Sequence, residues 1–453
     1  MIANGKLVFL ATFFAFLVQS LFAFIDDADE LLAIPYVLIL GGAAAYLLSR
    51  NLKDPDQEFQ LNIFFWAFSL RLWMSMVLYM WGMSAVFGDE DASGYTSGWG
   101  FAGNWWENGL DGFVSDLVRI FVTEQNVGQG FIWGIPTFFA GGESRLIVSV
   151  TNAFVGALFV VVLFRLARRI FGSETARTTA ILAAFWASYI LISASTQKEM
   201  LVIAGEWTLL YLLVRNAKGL SVNDGLLAIP VFLATFVMRF YALYLLAAAA
   251  VFRFIVSRSS HLVRDVAFGA VIVSSIMIFL GASGAITRDF ARLERMTVIA
   301  DSWRENVAEQ TGSGVSIYGT YESTTVAVPI AAVYFFFAPF PWEAFSGSAR
   351  NAFGAVENIF IILMIVLGFP ALKIFFKDKF VELAPIFVFC ALYAGMHIWG
   401  LSNVGLAWRH KQTVMPLFFM LVAVAIAHRH AGWQRIRGRF EKKDKELTVI
   451  RAG

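Results

Sequence analysis

The chain has 453 residues, of which 58% are hydrophobic and only 15% are charged. Soluble globular domains are nearer half apolar and one quarter charged, so this composition excludes a soluble globule and indicates a protein that crosses the membrane several times. The net charge of +2 by itself says little, whereas the distribution of the charges is informative, and no nucleic-acid partner is expected. The single cysteine, Cys390, excludes an intramolecular disulfide and a cysteine-based metal site.

Apolar segments of about 20 residues, long enough to cross a bilayer, recur along the chain. The first, 7–25, is followed by the acidic stretch Asp26–Glu30 without a small-residue cleavage site, so it is predicted to be a retained span rather than a signal peptide. The others, in chain order, are 32–49, 61–87, 146–167, 178–197, 199–214, 266–287, 356–376, 382–402 and 414–427.

Two further apolar segments are ambiguous. Residues 225–256 contain Arg239 and make either one long helix or two short helices that meet there, and residues 326–345 end in two prolines that argue against a regular helix. The basic stretches share one side of the membrane if 225–256 is a hairpin and 326–345 dips in without crossing. This predicts an all-α polytopic protein of about twelve spans, with one transmembrane domain at 1–427, a basic tail at 428–453 and both termini in the cytoplasm.

Two large loops, 88–145 and 288–355, are then external, the second with the re-entrant segment. In the first loop, apolar residues recur at helical spacing opposite polar ones, which predicts an amphipathic helix in the membrane interface. Its apolar face consists of Phe113, Leu117, Ile120 and Phe121, and its polar face of Asp111, Ser115 and Asp116.

The first external loop begins with three consecutive carboxylates, Asp89, Glu90 and Asp91. Their mutual repulsion, with partial desolvation at the bilayer boundary, raises the proton affinity of at least one of them and suits it to act as a base. The alternative is a solvated loop end. Near the last span, Arg409-His410-Lys411 is basic yet external, which predicts either an anionic partner such as a lipid phosphate or a snorkelling anchor.

Two charged residues, Arg71 and Glu206, lie inside predicted spans. An unpaired charge there costs about 2.5–3.5 kcal/mol or more, so the two are predicted to form a buried pair. His397, in another span, is predicted to be a hydrogen-bonded interior residue rather than a ligand.

Several short motifs lie on the predicted external side of the membrane, and one lies beside a cytoplasmic turn. They are Asp91-Ala92-Ser93-Gly94-Tyr95, the phrase Leu166–Gly172, Ser195-Thr196-Gln197-Lys198-Glu199, Arg239-Phe240-Tyr241, Ala338-Pro339-Phe340-Pro341-Trp342 and the closing basic turn. With them the chain resembles bacterial integral-membrane glycosyltransferases of the GT-C class, similar to family 39. Relatives commonly carry the acidic loop after the first span, whereas two further spans precede it here. Either these spans are an N-terminal extension or Asp26–Glu30 is the first-loop acid, and the shortness of that connection favours Asp89–Asp91.

The resemblance implies transfer of a sugar from a polyprenyl phosphate or diphosphate to an acceptor on the external face of the bacterial inner membrane, usually with inversion. It implies Asp91 as the base, with Asp89 or Glu90 tuning it or positioning a divalent cation. No metal ligands are assigned; a divalent cation remains open as a cofactor, and the lipid-linked sugar is the donor. The acceptor is a glycan, a lipid or a protein, and membrane lipids are the other partners. The substrate-binding candidates are Tyr95, Lys198, Glu199, Arg239, Tyr241, Arg409, His410 and Lys411. Arg409 and Lys411, before His410, are expected to hold the phosphate, because guanidinium and ammonium groups keep their charge. Arg239, Lys198 and Glu199 either contact the phosphate or the acceptor, or cap helix ends or pair with each other.

Two other functions fit the same sequence. A polysaccharide polymerase or ligase uses similar lipid-linked donors but joins whole repeat units, and it needs a wider external cavity. A secondary transporter could use Arg71 and Glu206 as a substrate or proton site near the midplane. A glycosyltransferase should instead gather Asp91, Arg239 and Arg409 at the external end.

Overall fold

The computed structural model describes residues 4–50, 54–87, 94–122, 128–216, 221–256, 324–344, 349–401 and 404–429. These residues form helices, turns and irregular connections, without a strand among them, which confirms an all-α polytopic protein. Several predicted features lie outside the described residues. They are Asp89, Glu90 and Asp91, the predicted span 266–287, the part of the second external loop from residue 288 to residue 323, and the tail beyond residue 429.

The helices before residue 257 fall into an N-terminal group and a longer group that follows it. The N-terminal group is Gly5–Ala23 (α1), Ala28–Leu31 (α2) and Ala33–Ser49 (α3). The following helices are Gln57–Ser75 (α4, continued by a π-helical turn Met76–Met80), Gly94–Val122 (α5), Gly128–Ala140 (α6), Arg145–Phe171 (α7), Ser173–Phe185 (α8), Ala187–Ala194 (α9), Glu199–Arg215 (α10), Val222–Met238 (α11) and Phe240–Val256 (α12).

The helices described after residue 323 lead to the last apolar segment. They are Thr324–Phe337 (α13), Ala349–Gly368 (α14), Leu372–Lys377 (α15), Phe380–Trp399 (α16), Val404–Lys411 (α17) and Met415–Arg429 (α18). Within the described ranges, six stretches are long and apolar enough to cross a membrane, or eight if each of two bent pairs is one span. The pairs are α8 with α9, bent by 55°, and α17 with α18, bent by 52°. The chain is a multi-pass membrane protein, and the count of twelve spans stays a prediction.

The ambiguous run 225–256 is two helices. The chain leaves helical geometry at Arg239, whose φ and ψ are −156° and 77°. The Arg239 and Arg253 guanidinium groups, near the two ends of α12, donate to the Tyr393 hydroxyl at 2.8 Å and the Val381 carbonyl at 2.9 Å. Tyr393 and Val381 both belong to α16, so α12 and α16 run antiparallel. The two-helix alternative is therefore confirmed, with its break at Arg239.

The expectation of irregular structure over 326–345 is wrong for its first part. Helix α13 runs to Phe337, and Pro339 and Pro341 follow its end instead of interrupting it. The residue before a proline disfavours helical geometry, which places the end of the helix before Ala338. Ala338 and Pro339 are joined by a cis peptide bond, and a 3₁₀ turn, Pro341–Glu343, comes next.

A charged network closes the connection that leads into α4. Asp56 is buried and accepts from Arg177 at 2.6 Å and from Ser173 at 2.6 Å, while Asp54 accepts from Arg168 at 2.6 Å. The hydrogen bond from Arg168 lowers the pKa of Asp54 from its ordinary 3.8 to about 2. These contacts join α4 to the end of α7 and the start of α8, at the end of α7 remote from Arg145.

We expect Asp54→Asn to lower the free energy of unfolding by about 1–2 kcal/mol near pH 7, after discounting the shift for the partial exposure of Arg168. Because the folded-state pKa is depressed, this stabilisation is complete above about pH 4 and is lost as the pH falls toward 2. Thermal unfolding in detergent should show the two proteins converging over that window. Glu382→Gln, in an exposed ion pair, is the control and should change stability by less than about 0.5 kcal/mol.

Candidate active site

The turn Ser195–Glu199 between α9 and α10 is held by polar groups from neighbouring helices. The Asn152 amide of α7 donates to the Ser195 carbonyl at 2.8 Å and to the Gln197 carbonyl at 2.9 Å. The Asn152 oxygen accepts from the Trp133 indole at 3.0 Å, and the backbone N–H of Thr196 donates to the Tyr79 hydroxyl at 3.0 Å. The turn is therefore fixed by α4, α6 and α7, and it presents Lys198 and Glu199 at the start of α10.

We expect Asn152→Ala to lower the free energy of unfolding by about 1–3 kcal/mol, because two buried carbonyls and one indole N–H lose their partner. The freed turn should also lower the rate of the reaction catalysed at this site by about tenfold, since small displacements of positioning groups are costly. Thermal unfolding and initial rates measure the two effects. Asn223→Ala, at an exposed position on α11, is the matched control and should leave both unchanged. An Asn152→Ala protein that equals wild type in both would remove this role.

Arg239 is the centre of a second group of polar side chains. It is only 4% exposed and donates to the Tyr393 hydroxyl at 2.8 Å, and that hydroxyl shares a hydrogen bond of 3.0 Å with His410 Nδ1. The His410 ring stacks on His397 with 3.7 Å between ring centroids, and the Arg239 guanidinium lies over the Tyr241 ring at 5.8 Å. The break between α11 and α12, the end of α16 and the basic turn thus meet at one place.

The basic turn also reaches the Ser195–Glu199 turn. Arg409 Nη1 lies 3.9 Å from Glu199 Oε1, and both side chains are mostly buried. The two residues come from α17 and α10, which are more than 200 positions apart in the chain. Five predicted substrate-binding residues therefore come together at this end of the bundle: Glu199, Arg239, Tyr241, Arg409 and His410. A sixth, Lys198, directly precedes Glu199 in the chain.

Lys411 has a different environment from its two neighbours. Its buried ammonium donates to the Asn358 side chain at 2.5 Å and to the Ala338 carbonyl at 2.8 Å. Asn358 in turn donates to the Pro339 carbonyl at 2.6 Å. These bonds hold the turn after α13 against α14, and a phosphate contact by Lys411 would require the ammonium to leave them.

Tyr95, in the first external loop, is connected to the Ser195–Glu199 turn through Arg145 and Tyr79. The Tyr95 hydroxyl accepts from Arg145 Nη2 at 3.0 Å, and the guanidinium lies over the Tyr95 ring at 4.6 Å and over the Tyr79 ring at 5.5 Å. Tyr79 is the residue that accepts from Thr196. Asp91, four residues before Tyr95 in the sequence, lies outside the described residues, as do Asp89 and Glu90.

The helix predicted in the first external loop forms, but its polar face is different. Phe113, Leu117, Ile120 and Phe121, which form the predicted apolar face, pack against the protein core, and the position of the helix in the membrane interface stays a prediction. Asp116, however, is buried and accepts from the Asn104 amide at 2.8 Å and the Trp105 indole at 3.0 Å. The cause is a kink at Gly109, where φ is +59°, which brings the first half of α5 back against the second.

The predicted pair of Arg71 and Glu206 does not form. Arg71 donates to the Ala67 carbonyl at 2.9 Å, within its own helix, and neither carboxylate oxygen of Glu206 has a hydrogen-bond partner among the described residues. The prediction of a pair rested on the high free-energy cost of an isolated charge inside a span. An arginine side chain can, however, use part of its hydrogen-bonding capacity on the backbone carbonyls of its own helix.

Sequence reasoning missed the residues that connect the site. Asn152 carried a usable signal, because a polar amide inside an apolar span is uncommon and expensive without partners. Tyr79, Arg145 and Tyr393 carried none, since aromatic and basic residues near span ends are ordinary there. Within the described ranges, no group of three His, Cys, Asp or Glu side chains could share a metal ion, and a cation bound at Asp89–Asp91 stays a prediction.

Comparison with known families finds a match over part of the chain. The sequence model of the dolichyl-phosphate-mannose-protein mannosyltransferase family matches residues 129–282, about a third of the chain. The matched range contains Asn152, Lys198, Glu199, Arg239 and Tyr241, whereas the three carboxylates Asp89–Asp91 and the basic turn lie outside it. No curated protein and no solved structure matches the chain. Residues 129–282 are thus similar to this family, and the match, together with the apolar helices of a multi-pass membrane protein, supports a membrane glycosyltransferase of the GT-C type.

Proposed function

We propose that the protein transfers a single sugar from a polyprenyl phosphate or diphosphate to an acceptor hydroxyl on the external face of the membrane. The observation that carries the proposal is the meeting of Arg239, His410 and the Arg409–Glu199 pair at one end of the bundle. That end also holds Tyr95, which follows Asp91 by four residues. A base and a set of cations at one place are what this reaction requires.

The proposed reaction is a displacement at the anomeric carbon. The acceptor oxygen forms a bond to that carbon while the bond to the phosphate oxygen of the donor breaks, and Asp91 takes the hydroxyl proton. The departing polyprenyl phosphate carries away the bonding electrons. Arg239 and Arg409 stabilise its growing negative charge, since guanidinium groups stay protonated at any working pH and match phosphate oxygens in geometry.

The fixed position of these cations supports their role in the transition state. Donors that are already oriented stabilise developing charge without reorganising during the reaction. Arg239 is held by Tyr393 and stands over Tyr241, and Arg409 faces Glu199. Glu199 also prevents an uncompensated positive charge when the site is empty. His410, which shares a hydrogen bond with Tyr393, completes the same group.

The test is a transfer assay with purified protein in native-lipid nanodiscs. Radiolabelled polyprenyl-phosphate and polyprenyl-diphosphate sugars are supplied with glycan, lipid and protein acceptor fractions in turn. We expect label to move to one acceptor class, one sugar at a time, with one polyprenyl phosphate or diphosphate released per transfer. A ladder of repeat units would favour the polymerase or ligase instead. Movement of an unmodified solute across the membrane, without transfer from any donor, would favour the transporter.

A further inference from the structure

The N-terminal segment that precedes α4 contributes a carboxylate to the transferase end of the bundle. We propose that Glu30 of α2 is a positioning residue for the transfer reaction. It fixes the start of α7 and so fixes Arg145, which joins the acidic loop to the Ser195–Glu199 turn. The inference rests on the proposed function, because it takes Asp91 as the base.

Glu30 caps α7 from a different part of the chain. Its Oε1 accepts from the Arg145 backbone N–H at 3.0 Å, and its Oε2 accepts from the Leu146 N–H at 2.9 Å and from the Ser144 hydroxyl at 2.7 Å. The first N–H groups of a helix have no partner within it, and a negative charge there complements the helix dipole. Both oxygens of Glu30 are thus occupied by α7, and Glu30 acts there as a cap rather than as a base.

Glu30 binds the backbone N–H of Arg145, and the Arg145 side chain contacts two tyrosines from neighbouring segments. The guanidinium donates to the Tyr95 hydroxyl and lies over the rings of Tyr95 and Tyr79, at 4.6 Å and 5.5 Å from their centroids. The Tyr79 hydroxyl accepts from the Thr196 N–H. In sequence, Tyr79 and Tyr95 stand on either side of the three carboxylates. One arginine therefore ties both flanks of the acidic loop to the turn that carries Lys198 and Glu199.

The cations that face the phosphate do not depend on this contact. Arg239 is held by Tyr393 of α16, and Arg409 lies on α17. Loss of the Glu30 cap should therefore displace the base relative to the acceptor while donor binding is preserved. A misplacement of about 1 Å can cost about 100-fold in rate. A positioning role predicts a fall in kcat with an unchanged KM for the donor.

Glu30→Gln is the informative variant, because its amide nitrogen would face backbone N–H donors where the carboxylate accepted them. We expect kcat to fall about 10- to 100-fold, with the donor KM within about threefold of wild type. Glu30→Asp, which keeps the charge on a shorter side chain, should recover part of the rate. Glu143→Gln, the same change at an exposed position beside the same helix start, is the control and should behave as wild type.

Amide hydrogen exchange read by mass spectrometry supplies a measurement that does not depend on activity. In Glu30→Gln, peptides that contain residues 144–147 and 95–98 should exchange faster, while peptides that contain residues 54–60 should not change. A double variant of Glu30→Gln with Arg145→Gln should lose no more rate than the worse single variant, because both act through one contact.

The outcomes separate this inference from the proposed function. Unchanged exchange at 95–98 would overturn the coupling, whatever the rates are. Faster exchange with an unchanged kcat would leave Glu30 a cap of α7 and overturn its positioning role. If the wild type transfers from no polyprenyl-linked donor, the proposed function fails and the positioning role fails with it, and the exchange comparison still decides whether Glu30 holds the two segments.

Discussion

The Asp91→Asn protein is expected to transfer sugar at least about 100-fold more slowly than wild type, because asparagine cannot take the proton of the acceptor hydroxyl and a general base supplies about 10²–10⁴ in rate. Its KM for the polyprenyl-linked donor should stay within about threefold, since the donor phosphate is assigned to Arg239 and Arg409. Initial rates of label transfer in native-lipid nanodiscs measure both. The acceptor is kept above its own KM so that the chemical step is observed.

Three matched variants make this result specific. Asp111→Asn removes an exposed carboxylate from α5 and should leave the rate unchanged. Asp89→Asn and Glu90→Gln test the two neighbours of Asp91, because three successive residues cannot all point at one hydroxyl. Transfer by Asp91→Asn within a few-fold of wild type would show that Asp91 is not the base. The assignment would then move to whichever neighbour abolishes transfer.

Much of the fold follows from local pattern and from the charge rule. Long apolar runs predict spans because every backbone group in lipid must be satisfied within a helix. The break in 225–256 could be placed at Arg239, since a charge is poorly tolerated in the middle of a span and well tolerated at its end. The predicted topology put Arg239, Glu199 and, as an exception to the positive-inside rule, Arg409 on one side of the membrane. The structure brings these three together at one end of the bundle.

The remaining contacts depend on how distant segments meet, which spacing does not reveal. Helical spacing placed Asp116 on a polar face. In the structure it is buried, because the chain turns at Gly109 and brings its partners Asn104 and Trp105 against it. Glu30 looked like one more acid in a short connection, because the helix start that it caps lies more than 100 residues further along the chain. The environment of each of these two residues is set by a tertiary contact and not by its neighbours in sequence.

Arg239 carries the second large expected effect. Arg239→Gln should lower kcat/KM for the donor by at least about 100-fold, because the proposed mechanism places this buried cation beside the phosphate, where it stabilises both the bound donor and the leaving group. Arg239→Lys should restore only part of it, since an ammonium has no planar fork with which to bind Tyr393 and a phosphate oxygen at once. Binding of radiolabelled polyprenyl phosphate, measured without an acceptor, should weaken in the same order.

Tyr393→Phe separates the charge of Arg239 from its orientation. The variant keeps the guanidinium but removes the hydroxyl that accepts from Arg239 and bonds to His410. Loss of one hydrogen bond to a charged group costs about 1.5–3 kcal/mol, so a rate loss of about tenfold or more with intact polyprenyl-phosphate binding would indicate that orientation matters beyond charge. Arg409→Gln provides the comparison on the basic turn. If Arg239→Gln binds and transfers normally while Arg409→Gln does neither, the phosphate lies against α17 beside Glu199, and Arg239 serves only to join α12 to α16.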